Sequence, residues 1–262
     1  MAAKFRSYLI WLNIIAFVAT VIVNAMAGST TLIGGVSTAQ ISDSNPTLVT
    51  PAGYVFSIWG IIYILLAVFV IYQALPSQKE KEYHDKISWL FVLSCIFNII
   101  WLFLWQYELL SASILLMLLL FASLLLIYLR LDIGKSKSPL QDKLAVHLPF
   151  SVYFGWITIA TIANISVTLV SLEWDGFGIS ANIWAALIII VAMLITLLVI
   201  ATRKDIAYSL VVVWALIGIA AKQSAYQDIV TLAVSCAVII LIALAVFIVL
   251  ARMKARPMPS SQ

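Results

Sequence analysis

An all-α fold, a polytopic bundle of about eight transmembrane helices with both termini cytoplasmic, is what this sequence predicts, and three observations predict it. Hydrophobic residues make up 64% of the 262 and charged residues 10%, where soluble domains sit at roughly 45–50% and 25%; mean hydropathy is +1.13. The apolar residues come in long continuous runs rather than in alternation, which favours helices over a β-barrel. Of the fifteen Lys and Arg, all but Lys222 fall before the first run, in alternate gaps between runs, or after the last.

A helical span needs about 20 apolar residues to cross about 30 Å of hydrocarbon, where every backbone N–H and C=O must pair within the segment. Eight runs qualify, at 8–27, 52–75, 87–107, 110–130, 144–170, 181–202, 205–221 and 228–251. Lys4 and Arg6 precede the first. Its end, Ala25-Met26-Ala27, has the form of a signal-peptide cleavage site, but a run of this length exceeds the usual apolar region of about 7–15 residues, so a retained anchor is expected. Cleavage, the alternative, leaves seven spans.

The gap at 28–51 is rich in Gly, Ser and Thr with Asp43 as its one charge, a candidate outward lid. Thr50-Pro51 pairs a capping residue with a first-turn proline, so the second span is expected to start there. The next gap carries Lys79, Lys81 and Lys86, and the stretch 130–143 carries Arg130, Lys135, Lys137 and Lys143. The short gaps at 108 and 171–180 carry no base, Arg203 and Lys204 follow the sixth run, and Arg252, Lys254 and Arg256 follow the eighth. By the positive-inside rule the basic gaps and both termini face the cytoplasm, which places the protein in the cell membrane. The net charge of +4 is then anchoring charge at the inner leaflet, and nucleic acid is excluded as a partner because the bases are spread over short segments.

Ionisable residues at bilayer depth mark ion and proton pathways. The runs hold essentially none, which disfavours a proton-coupled transporter or an intramembrane protease. Cys95 and Cys236 lie inside apolar runs, so neither a disulfide framework nor a metal-ligand spacing exists, and no catalytic or metal residue is assigned. His84 and His147 read as interfacial. What remains at depth is aromatic and amide, in three helical stripes: Phe56, Trp59 and Tyr63; Ser94, Asn98, Trp101 and Trp105; Trp156, Ala160 and Asn164. Each shares one face. At about 1.5 Å per residue, Trp59 lies ~10 Å below the outer boundary, Asn98 ~13 Å and Asn164 ~9 Å. The coincidence suggests a pocket below the 28–51 gap, although Asn also bonds across helix interfaces and Trp and Tyr gather near bilayer surfaces without any ligand.

At these residues the chain resembles the tryptophan-rich sensory protein family, which includes the translocator proteins (peripheral benzodiazepine receptors). The family's second-helix pattern PPxWVFGPVWxxLY is matched by TPAGYVFSIWGIIY at 50–63. LNxxW of its third helix is matched by Asn98 and Trp101, and the spacing in its fifth by Trp156, Ala160 and Asn164. Tyr54 replaces the first Trp of the second-helix pattern, one residue is missing between Phe56 and Trp59, and the family's proline-rich WY-containing loop is absent. The likeness spans about residues 8–170, so 1–170 is expected to form a five-helix bundle of that type and 171–262 three added helices with a short tail. In the added part, Trp184 and Trp214 read as interface anchors, and Ala215, Gly218, Ala220 and Ala221 allow close helix contact or a homodimer surface.

The resemblance implies an integral membrane receptor or sensor for a flat hydrophobic ligand, a porphyrin or other haem-like tetrapyrrole. Phe56, Trp59, Tyr63, Asn98, Trp101, Trp105, Trp156, Ala160 and Asn164 are its expected liners. Stacking on indole and phenol faces, with amides at the polar edge, suits a macrocycle. Translocation of such a molecule is the alternative. An enzymatic role has no visible nucleophile, base or metal site to support it.

Overall fold

The computed structural model describes residues 3–28 and 32–255; residues 29–31 of the first loop and Arg256 of the tail lie outside the described residues, as do the side chains of Lys4, Arg252 and Lys254. All regular structure among the described residues is helical. Each apolar run holds one long helix: α1 (Ala3–Gly28), α2 (Ile58–Ala74), α3 (Leu90–Gln106), α4 (Leu110–Arg130), α5 (Leu148–Ser171), α6 (Ala181–Arg203), α7 (Ile206–Lys222) and α8 (Gln227–Ala255).

The helix total differs from the expected eight because the gaps fold as well, into short helices at Thr38–Ser44 and Tyr83–Ile87. Among the described residues six stretches are long and apolar enough to cross a membrane, so the protein is a multi-pass integral membrane protein; α3 and α7 are apolar but 17 residues each. At 1.5 Å per residue such a helix reaches about 25 Å. Local stops cause the shortening. Ser88 takes φ 48 and breaks the third run before Leu90, while Asp205 caps the start of α7.

Two other starts differ from expectation. The second span opens not on a Thr50 cap but on a 3-10 helix, Gly53–Ser57, that becomes α-helical at Ile58. The reason is a tertiary bond: Ala52 N donates to Gly218 O of α7 at 3.0 Å, and Thr50 N is taken by Thr47 Oγ1 at 3.0 Å. The fifth run begins with a π-helical turn, Lys143–His147, ahead of Pro149, which has no N–H to donate and crowds the preceding turn.

α5 is the axis of the molecule. Residues from Pro149 to Ile159 are buried without interruption, and α5 packs against α4, α7 and α2. On one side α1 lies against α3 and α2, and α3 against α4; on the other, α7 carries α6 and α8. Gly155 admits α7, since a Cβ there would stand 3.2 Å from both Cα and O of Tyr208. At the start of α7 the buried Asp205 carboxylate accepts from Ser151 Oγ of α5 at 2.7 Å, from Tyr128 OH of α4 at 2.9 Å, and from Tyr208 N at 3.2 Å as the α7 cap. Hydrogen bonds to a charged group contribute about 1.5–3 kcal/mol each, and loss of one partner strands the others in a dry setting.

The basic gaps gather at one end of the bundle. Arg6 donates to Asp85 at 2.7 and 3.1 Å and to Glu80 O at 3.1 Å, Lys81 stands 3.7 Å from Asp142, and Arg203 meets Asp132 at 2.7 Å. Burial holds His84 below the usual imidazole value, opposed by its Nε2 bond to Gln78 O at 3.0 Å. The hydrogen bond from Arg6 holds Asp85 below the usual carboxylate value.

Both shifts give the same sign. A histidine kept neutral when folded takes up a proton more readily when released, so its contribution falls as pH drops below the free value near 6.5. The Asp85 contribution is complete above its free value near 3.8 and is lost as pH falls through the lower folded value. Amide protection in residues 76–87, taken relative to the intrinsic exchange rate at each pH, should therefore fall between about pH 7 and pH 5, and a His84→Gln variant should flatten that response. Equal protection across this range in the wild-type chain would contradict the assignment.

Candidate functional site: an aromatic chamber under the first loop

The three stripes meet. Trp59 of α2 is the hub: its ring lies 5.6 Å from Tyr63 and 6.4 Å from Trp101 in stacked pairs, and 6.0 Å from Tyr153 and 6.2 Å from Trp156 edge-on. Trp101 continues the stack to Trp105 at 5.8 Å, and Phe56 meets Trp156 edge-on at 5.7 Å. Helical periodicity alone turns these rings inward from α2, α3 and α5. Each such pair contributes about 0.5–1.5 kcal/mol beyond its buried area.

Between the rings lies a cavity of about 30 Å³, walled by Phe56, Trp59, Trp101, Trp105, Trp156, Ala160 and Asn164 among others. That is about one water's share of liquid volume, against the 300 Å³ or more of a typical ligand pocket. The chamber is closed in this conformation. Tyr63 stacks behind Trp59 without lining it.

The two amides do other work. Asn98 accepts from Asn24 Nδ2 of α1 at 2.7 Å and donates to Tyr153 OH at 3.3 Å. Asn164 accepts from Trp101 Nε1 at 2.8 Å and donates to Ser113 Oγ of α4 at 2.9 Å. Both are buried and tie helices together with their amide groups; Asn164 also lines the cavity, whereas Asn98 does not. Two ring donors differ: Trp156 Nε1 and Tyr63 OH are buried without any hydrogen-bond partner. A buried unpartnered donor costs about 1–3 kcal/mol.

The loop before the second span forms the roof, and its residues escape stripe analysis. Thr38 and Ser42 of the short helix and Pro51 complete the cavity wall. The short helix is set by a capping box in which Ser37 and Gln40 bond reciprocally. Below it, Trp105 Nε1 donates to Thr38 O at 3.2 Å, and Gln106 Nε2 donates to Ile33 O at 3.0 Å and Val36 O at 2.6 Å. From the side, α7 holds the rest: Gln223 Nε2 donates to Thr47 O at 2.9 Å, Lys222 pairs with Asp43, and Trp214 Nε1 donates to Val55 O at 3.3 Å. Gly218 is required there, since a Cβ would collide with Val55 and crowd Pro51 at 3.1 Å.

A multi-pass helical membrane protein whose central helices converge on a roofed aromatic chamber fits a membrane receptor or transporter. Residues 10–248 match the TSPO-like protein family, and the chain belongs to that family. The match runs on through α6 and α7 and into α8. No curated protein and no solved structure matches the chain.

Gln106→Leu removes the donor that gathers the two loop carbonyls and strands them, at about 1–3 kcal/mol per buried group. Hydrogen exchange at residues 33–44 should rise by roughly tenfold or more while α4 and α5 keep their protection. Unchanged exchange in that segment would show that Trp105 and α7 hold the roof without Gln106.

Proposed function

We propose that this protein is a membrane receptor for a flat hydrophobic molecule, a porphyrin or other tetrapyrrole, taken up among the rings of Phe56, Trp59, Trp101, Trp105 and Trp156, beside Ala160. One observation carries the reading: the Trp156 indole N–H, buried beside the cavity, has no acceptor. A macrocycle entering there would bring π-faces for Trp59 and Trp101 and an acceptor for Trp156.

Entry requires the chamber to grow by more than tenfold from about 30 Å³. The roof supplies the room, because its anchors are side chain–backbone bonds that can release one at a time, whereas the chamber walls are fixed by Asn98 and Asn164. Closed and open states of such a pair differ by a few kcal/mol, and the ligand draws the population to the open one.

Protoporphyrin titrated into the purified protein, followed by its own Soret band, should bind saturably. Trp59→Ala combined with Trp156→Ala should weaken binding by about tenfold or more, from the loss of two ring contacts. Equal affinity in the double variant would place the pigment elsewhere.

In the cell membrane the basic end, with Arg6, Lys81 and Arg203, is assigned to the cytoplasm and the roof to the outside. Cys95 and Cys236 are buried and leave the background low. A membrane-impermeant maleimide applied to intact cells should label Leu172→Cys and spare Leu140→Cys, both exposed positions; the reverse pattern would invert the topology.

A further inference from the structure

A second cavity, about twenty times larger than the chamber, lies on a different face of α5. It has a volume of about 590 Å³ and runs between α5 and α6 beneath the 172–180 turn. It exists because α6 packs on α7 and α8, standing away from α5. The turn that sets α6 apart is strongly reversed, with Glu173, Gly176, Phe177 and Gly178 at φ 53, 65, 54 and 74.

Its walls are of two kinds. Along the spans they are aliphatic, with Ile165 and Leu169 from α5 facing Ile188 and Val191 from α6. Both helices lie in stretches apolar and long enough to cross a membrane, so the crevice opens sideways onto acyl chains. At the rim near the turn stand Trp174, Asp175 and Trp184. The indoles lie 5.3 Å apart at 52°, and Trp184 is held by its Nε1 bond to Gly176 O at 2.9 Å. Asp175 Oδ1 accepts from Phe177 N at 3.0 Å, and no ion pair occupies the carboxylate among the described residues. Neither Lys, Arg nor His lines the crevice.

We infer that this crevice is a lateral site for a bilayer lipid with an ammonium head group: one acyl chain between α5 and α6, the ammonium at the rim. The chemistry at the rim is one-sided. A carboxylate beside two indole faces attracts a cation, most strongly a quaternary one, and repels a phosphate left without a counter-charge. The volume falls within the 300–1,000 Å³ range of ligand sites, and its aliphatic length fits a chain rather than a polar solute. The site does not depend on the aromatic chamber. Pro46 to Val49 line the crevice while Pro51 lines the chamber, so one loop separates the two.

The test uses the full chain in nanodiscs of equal parts phosphatidylcholine and phosphatidylglycerol with identical acyl chains, released into the mass spectrometer under native conditions. One phosphatidylcholine should stay bound in preference to phosphatidylglycerol. Asp175→Asn, at an exposed position, should lower that preference by roughly two- to fivefold. Ile188→Trp, which fills the shaft, should abolish retention, with circular dichroism and a monodisperse elution profile checking its fold. Equal retention of both lipids, or an unchanged preference in Asp175→Asn, overturns the proposal. So does saturable binding of tetramethylammonium to the lipid-free protein as tight as that of the lipid, which would make the rim a site for the cation alone.

Discussion

α5 is enclosed by protein along its N-terminal half, and a helix so placed must find a protein partner for every surface it presents. Lipid cannot fill its gaps. The demand explains the small residue at Gly155, where the α7 backbone comes within 3.2 Å of where a side chain would begin. It also explains the polar knot at Asp205, where α4, α5 and the start of α7 share one carboxylate. α7 in turn carries α6 and α8, so the three helices beyond residue 170 join the rest chiefly through one contact surface.

The chamber follows from the same axis. Trp156 and Asn164 sit on α5, and the rings of α2 and α3 reach them because those helices pack around it. The paired asparagines divide the labour: they hold α1, α3, α4 and α5 in register, leaving the indoles as the surface that can receive something flat. Polar groups satisfied inside apolar surroundings rigidify the elements they join. Rigid walls beneath a roof pinned by separate bonds are what the proposed opening at the roof rests on.

Much of this was legible in the residues. Continuous apolar runs give helices, and the i, i+3, i+4 spacing of Trp59, Asn98, Trp101, Trp156 and Asn164 places them on converging faces. Asn13, Thr20 and Asn24 also mark one face of the first run, and they were the signal for the α1 contacts to Gln73 and Asn98 that stripe reading of the other helices passes over. What the asparagines bind could not be read from spacing, because an amide faces a ligand or a neighbour with the same periodicity. The roof was hidden for a different reason. Thr38, Ser42 and Pro51 reach the chamber through bonds to Trp105 and α7, contacts across long sequence separations that no local pattern encodes. Asp205 looked like the edge of an apolar run, and the α5–α6 crevice arises from packing that does not occur.

Chain order adds something that the finished structure conceals. The walls of the chamber, from α2 to α5, are complete by Ser171, but the groups that fasten its roof from the side, Gly218, Lys222 and Gln223, emerge from the ribosome some fifty residues later. At about 5–20 residues per second this leaves an interval of several seconds. During biogenesis the ring cluster therefore stands beneath a cover held only from below, by Trp105 and Gln106, and its lateral fastening waits until α7 is inserted.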